Sequence, residues 1–446
     1  MTTDDPTVNP TVDPNSATEP RQLHPLSPLI HGARVAPATL LIGFFLGGNV
    51  NLPIFGRLAT MAGLTIVAGV AIALFQWIAW TKLTFYFDGS GDFRLDSGVL
   101  QRNERRVQLS RLQSVDVTQP MIPRLFGMAE VRIEVAGDSN VMLAYLDEPT
   151  GRALRGEILA RAAGLRGDTE EAPEQVLTSV APGDLAISLL LRGSTMALLI
   201  ATVFLISITV AFQGVGALGL TLITGGVPLF TVVNQFNRFY NFTVASSPDG
   251  LRLRHGLLQT TSFTVPPGRV QAVSFSESWL WRRLGWVRVE LNVAGSTGSD
   301  NETTGTVLLP IATWSVASDI VARVLPGVDL ETVELEPAPR RARWRAPVQW
   351  RRLAVGHDDR VLVARRGRFH RVHSVVPHAR TQSVRVTQGP WERRLRVASL
   401  HVDSTPGPVS ITGLHLDQTT AREIAEHQVD RADAARRRDG PGRWMT

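Results

Sequence analysis

The sequence predicts a membrane α + β protein. The expected architecture is two transmembrane helical hairpins and three copies of one antiparallel β module, each closed by a C-terminal helix. Three observations predict this. Long uncharged apolar stretches alternate with arginine-rich segments, one motif register occurs three times, and hydrophobicity inside each copy alternates with period two. The chain has 446 residues, about three times the ~150 residues usual for one domain.

The uncharged stretches come first. Between Arg34 and Arg57 lie 22 residues without Asp, Glu, Lys or Arg, and between Arg57 and Lys82 lie 24 more. From Arg192 to Arg238 the uncharged run is 45 residues, broken by the polar Gln213-Gly214-Val215-Gly216. A helix of ~20 residues crosses a ~30 Å hydrocarbon layer. Four spans are therefore expected, near 36–54, 59–80, 191–212 and 216–235, with Arg57 in the turn of the first hairpin. They lack the polar stripe of a soluble helix, and Trp77 and Trp80 fall at the end of the second, where an aromatic belt sits. The charged flanks Arg34, Lys82, Arg192 and Arg238 place both termini in the cytoplasm by the positive-inside rule. The acidic, Pro- and Thr-rich N-terminal tail is expected to be disordered and is not a secretory signal.

The repeat is the most informative feature. SGVLQRNERRVQLSRLQSV begins at Ser97, HGLLQTTSFTVPPGRVQAV at His255 and RGRFHRVHSVVPHARTQSV at Arg366. The interval from glycine to glutamine is 15 each time: Gly98 to Gln113, Gly256 to Gln271, Gly367 to Gln382. An arginine precedes each glutamine by two (Arg111, Arg269, Arg380) and another follows by 11 (Arg124, Arg282, Arg393). Glycine comes at +14 in two copies, as Gly127 and Gly285, whereas Arg396 stands there in the third. Alternation such as Val131, Ile133, Val135 against Arg132 and Glu134 indicates half-buried strands. Turn signals separate the strands, and helices over 148–163, 313–325 and 417–435 close the three units.

On the R-x-Q-S/A-V motif, the Arg124-Leu125-Phe126-Gly127 and Arg282-Arg283-Leu284-Gly285 clusters, and a hairpin ahead of each of the first two units, the chain resembles the bacterial pleckstrin-homology-like, membrane-flanked domain proteins. The resemblance covers roughly residues 35–430. It implies a pleckstrin-homology (PH) barrel of bent antiparallel strands with a C-terminal helix, and no defined catalytic activity. The layout is then a disordered tail over 1–34, hairpin 35–81, PH-like domain 82–165, linker 166–184, hairpin 185–237, PH-like domain 238–328, basic linker 329–350, PH-like domain 351–432 and basic tail 433–446.

Two readings of the repeated polar residues compete. The arginines of each copy suit a basic rim that grips anionic headgroups, since guanidinium pairs bidentately with phosphate. Alternatively, residues repeated in three contexts satisfy the backbone of a common fold, and this reading is favoured. Gly98, Gly256 and Gly367 are expected to supply a positive φ. From Ala338 to Thr446 there are 22 Arg against 10 Asp plus Glu, and tryptophan stands among arginines at Arg343-Trp344-Arg345. That composition suits a surface beside anionic lipid.

Chemistry is bounded by what is missing. Cysteine is absent and Lys82 is the single lysine, which removes thiol nucleophiles, Cys-based metal sites and P-loops. Of His370, His373 and His378, the first two are three apart and would point to opposite faces of a strand, and no carboxylate cluster completes a set, so no metal and no cofactor is expected. No catalytic motif occurs, and no enzyme is expected. The expected role is binding or scaffolding at the cytoplasmic leaflet of a bacterial inner membrane. The expected partners are the bilayer itself, anionic headgroups, another membrane protein or further copies of the chain, and not nucleic acid. The competing reading is a transporter or channel component whose hairpins form the path; the uncharged spans argue against it.

Overall fold

The computed structural model describes residues 20–25, 27–28, 40–41, 45, 53–89, 91–99, 101–135, 141–162, 174–211, 226, 229–247, 250–265, 268–294, 307–325 and 333–439. The chain divides into two compact units, Met1–Ala172 and Pro173–Thr446.

In the first unit, β1 (Arg21–Gln22), β2 (Thr84–Phe87), β3 (Phe93–Ser97) and β4 (Asn103–Val107) form an antiparallel sheet in that order. A meander of β5 (Leu112–Gln119), β6 (Met128–Val135) and β7 (Val141–Asp147) follows, and helix Glu148–Ala162 closes the module. Alternation selects the core. Phe85 and Phe87 turn inward from β2 to meet Phe93, and Leu154 and Ile158, four apart on the helix, reach the same cluster. Each such buried side chain contributes roughly 1.5–3 kcal/mol.

The start of the chain departs from expectation. Disorder is expected over 1–34, yet β1 pairs with β2, and Leu23 enters the core. The Leu23 carbonyl accepts from Trp80 Nε1 at 3.1 Å. An open strand edge beside an apolar side chain is reason enough for the tail to dock. Residues 1–19, 26 and 29–34 lie outside the described residues.

The two-hairpin expectation also needs correction. Among the described residues one helix, Ile54–Thr81, is long and apolar enough to cross a membrane. A second candidate arises if Pro182–Leu190 and Gly193–Ile208, bent by 55° at a short break, count as one span. Arg57 is not in a turn: the helix begins after Pro53 and runs through it. Of the expected fourth span, residues 226 and 229–235 are helical, the helix runs on to residue 239, and the remainder of the span lies outside the described residues. Most of the expected first span lies outside the described residues.

The second unit holds two modules. β8 (Gln175–Ser179), β9 (Thr243–Ser247), β10 (Gly250–His255) and β11 (Thr260–Val265) pair consecutively. After β12 (Val270–Ser278) come helix Trp279–Leu284, β13 (Trp286–Val293), β14 (Val307–Thr313) and the closing helix Trp314–Val324. The third module repeats the plan with β15 (Glu336–Pro337), β16 (Ala354–His357), β17 (Val361–Arg366) and β18 (His370–Pro377). Its second half is β19 (Ser383–Thr387), helix Pro390–Leu395, β20 (Val397–Asp403), β21 (Ile411–Asp417) and helix Gln418–Asp439. The two modules are not separate beads. β12 pairs antiparallel with β18, Val273 opposite Val375 and Ser278 opposite His370, so one seven-stranded sheet runs β14-β13-β12-β18-β17-β16-β15.

The last helix extends past the 435 expected, into the tail read as 433–446. Ala432 and Ala435 are buried, and Arg436, Arg437 and Arg438 in its final turn complement the helix dipole. Gln428, fully buried, fastens it: its amide donates to His378 Nδ1 at 2.9 Å and Thr381 Oγ1 at 3.0 Å. His378 Nε2 in turn donates to the Asp358 carbonyl at 2.9 Å.

Candidate functional site

The repeated glycines are a backbone requirement. Gly98, Gly256 and Gly367 have φ of +115°, +116° and +86°, and a Cβ on them would lie 1.9, 1.8 and 1.8 Å from the carbonyl oxygen three residues on. No side chain fits there.

In the first two copies the repeated glutamine marks where a strand changes register. β5 shifts against β6 between Leu112 and Ser114, at Gln113, and β12 shifts against β13 between Val270 and Ala272, at Gln271. Gln271 is buried and its amide donates to the Arg269 carbonyl at 3.1 Å. In the third copy Gln382 is exposed and precedes β19, its N–H donating to the Asp403 carbonyl at 2.9 Å. Arg111 and Arg380 end matching 3-10 turns, Leu109–Arg111 and His378–Arg380. The side chains of Arg111 and Gln113 lie outside the described residues. Arg269 and Arg380 are half-buried, and burial lowers the Arg269 pKa from its ordinary value.

The arginines at +11 share another setting. Arg124, Arg282 and Arg393 each fall in the last turn of a short helix, Met121–Leu125, Trp279–Leu284 and Pro390–Leu395. The backbone then turns left-handed at Gly127, Gly285 and Arg396. The nine residues of β12 separate Arg269 from the helix of Arg282, which at ~3.3 Å per residue is about 30 Å. The two arginines of one copy therefore do not share one anion. Arg282 is also engaged: its Nη2 donates to the Arg368 carbonyl at 2.9 Å. Arg282 and Arg371 both draw on half-buried Glu277, whose pKa is raised by desolvation despite them.

What surrounds these arginines is apolar and exposed. In the first module Met121, Ile122, Leu125 and Phe126 are open to solvent, in the second Trp279 and Leu284, in the third Trp391. The second module ties this surface to the foot of an apolar helix. Ser278 caps the short helix, accepting from Trp281 N–H, and its hydroxyl reaches the Leu191 carbonyl at 3.4 Å. Trp281 Nε1 donates to the Ser188 carbonyl at 3.1 Å. At the same end, the hairpin tip after Gly256 bonds to Asn237, and carries exposed Leu257 and Leu258. The third-module tip held by Arg282 carries exposed Phe369. Arginine beside exposed aromatic and aliphatic side chains can place charge among headgroups and carbon in the acyl boundary.

Sequence reasoning missed these apolar residues. The signal was a hydrophobic residue in a turn directly after a positive-φ glycine, as at Val99 and Leu257, where solvation alone favours a polar one. The three histidines disperse. His373 packs edge-on against Trp314 with its pKa held to about 4 by burial, His378 is locked by Gln428, and His370 begins β18. In the basic linker, Arg340–Trp344 is a 3-10 turn with Trp344 exposed under the Arg343 guanidinium.

The chain is 22% identical over 367 residues, 73% of each protein, to the UPF0699 transmembrane protein YdbT of Bacillus subtilis (strain 168). The family described as Bacterial PH domain matches three times, at residues 40–162, 195–326 and 307–432, one match for each copy of the repeat. With most of its length so matched and two sheets plus a closing helix built from every copy, the chain belongs to the bacterial PH domain family.

Proposed function

We propose that the chain is a non-enzymatic membrane protein whose apolar helices anchor it in a bacterial membrane and whose PH-like modules bind or scaffold at the cytoplasmic leaflet. One observation carries the reading. The arginine-bearing helix Trp279–Leu284 is bonded to the foot of an apolar helix and presents Trp279 and Leu284 outward beside Arg282 and Arg283. The orientation follows from the basic ends of the apolar helices. Arg192 precedes Gly193–Ala211 on the module side, and Lys82 caps the C-terminus of Ile54–Thr81 on that side too, with Arg57 near the helix's other end. The relative's name, a transmembrane protein, supports the anchoring.

Anionic headgroups are the ligand class that suits exposed arginines at such a surface, each contributing about 1 kcal/mol. The absence of cysteine provides a clean test. Leu284→Cys and Phe369→Cys in the full chain take an environment-sensitive fluorophore, and emission is compared in phosphatidylglycerol-containing and pure phosphatidylcholine nanodiscs. A blue shift that grows with phosphatidylglycerol is expected at both positions. Emission typical of water in both bilayers would refute the leaflet contact.

A further inference from the structure

A cleft of about 360 Å³ opens on the seam where β12 of the second module meets β18 of the third. That is near the lower end of ligand-pocket volumes. Ser274 and Ser276 line it from β12. They are only 4% and 7% exposed, yet neither hydroxyl has a hydrogen-bond partner among the described residues. A hydroxyl that opens onto a cleft without a protein partner keeps its donor and acceptor capacity for a ligand or water. Arg366 enters from the end of β17; one donor goes to Ser410 Oγ at 3.1 Å, which leaves most of the guanidinium fork for something else. Gln349 and His370 add polar groups to the wall.

The charge balance favours an anion. Glu290 also lines the cleft, but Arg288 Nε holds its carboxylate at 2.8 Å. Arg192, Arg288 and Arg366 all act on His370, against the one carboxylate of Glu290.

The geometry points to a site for a phosphomonoester group, gripped by the Arg366 fork and the Ser274 and Ser276 hydroxyls. A tetrahedral dianion has enough acceptor oxygens for a bidentate guanidinium and two hydroxyls together. A carboxylate confines its acceptors to one plane, whereas the phosphate spreads them over a tetrahedron, and an uncharged sugar would leave the arginines unmet. Both modules contribute to the wall, and none of the repeated arginines and glutamines does, so the site belongs to the seam and goes beyond the leaflet contact proposed above.

A phosphomonoester reaches such a site from two sources, a soluble phosphate ester or the headgroup of phosphatidic acid. The full chain is therefore tested in two arms. Glycerol 3-phosphate is titrated onto protein in phosphatidylcholine nanodiscs, and protein from nanodiscs containing phosphatidic acid is examined by native mass spectrometry for retained lipid. Binding is expected in at least one arm, which identifies the source, with glycerol itself inactive. Arg366→Gln should weaken it tenfold or more, and Ser276→Ala about threefold. Should Arg366→Gln fail to fold, Ser276→Ala decides. Absence of binding in both arms, or affinity unchanged in the folded variants, would overturn the proposal. Neither outcome depends on the Leu284 and Phe369 labels, which report the leaflet contact separately.

Discussion

The second and third modules share one plan and one sheet, yet the same motif meets different surroundings in each. In the second, β12 is buried almost throughout because β13 and β18 flank it on both edges. Its counterpart β19 lies at the edge of a three-stranded sheet and is largely exposed. Gln271 is buried and Gln382 exposed accordingly. At +14 the second module has Gly285 with φ +68°, while the third holds Arg396 at φ +52°, the same backbone with a side chain attached. Backbone geometry is therefore what the repeat retains, and side-chain environment is what it lets go. That is expected if the shared letters serve the fold and the ligand chemistry lies elsewhere.

The strongest way to break the comparison is at the position both modules keep. Gly256→Ala and Gly367→Ala each place a methyl group under 2 Å from a carbonyl oxygen, in backbone that L residues rarely adopt. Each is expected to cost about 3 kcal/mol or more, the range of severe core lesions. Thermal unfolding of the full chain in detergent measures it. A loss below about 1 kcal/mol in either variant would mean that the hairpin tip relaxes freely and is not a fixed part of the repeat.

One residue upstream the modules diverge, and acid should separate them. His255 in the second module corresponds to Arg366 in the third. The His255 ring stacks on Phe242 at 5.1 Å and its Nδ1 donates to the Arg238 carbonyl at 2.9 Å. Burial holds its pKa to about 4, against 6.5 ordinarily. The unfolded chain thus binds a proton at higher pH than the folded one. Stability is full above pH 6.5, falls as pH drops toward 4 and levels off below. The loss is on the order of 3 kcal/mol. His255→Phe should remove its share of that slope, leaving the part due to His373, also held to about 4, and to the other histidines whose pKa burial lowers, such as His370 and His378. An unchanged acid slope would show that His255 is not buried neutral.

The legible part of this molecule was local and periodic. Period-two alternation located β6 and β13, turn residues located the hairpins, and the constant 15-residue interval exposed the three copies. Partner choice was not legible. Val273 and Phe275 face a core whether β12 is followed by its own module or the next, so alternation could not reveal the ladder to β18. The serines on its other face were the available hint, since small hydroxylated residues suit a seam more than open solvent. Counting uncharged residues likewise could not distinguish a straight span from a helix bent at Leu191-Arg192. As for the site, the motif arginines were legible as a pattern, but not that β12 holds two of them some 30 Å apart.

The smallest expected effect bears on whether the third module has drifted or specialised. A left-handed conformation costs an L residue roughly 1–2 kcal/mol relative to its preferred one, and glycine escapes most of that. Replacing a non-glycine by glycine also widens the unfolded ensemble, which takes back about 0.4–1 kcal/mol. Arg396→Gly should therefore stabilise by about 0.5–1 kcal/mol, and Gly285→Arg should destabilise the second module by a similar amount. The Arg396 carbonyl accepts from Arg341 and from the Gln418 N–H, and the substitution leaves both bonds available. The two variants should thus shift the melting temperature by a few degrees in opposite directions. If Arg396→Gly instead destabilised, the side chain would be making an interaction in the third module that outweighs its backbone strain, and the lost glycine would be an adaptation of this copy rather than tolerated drift.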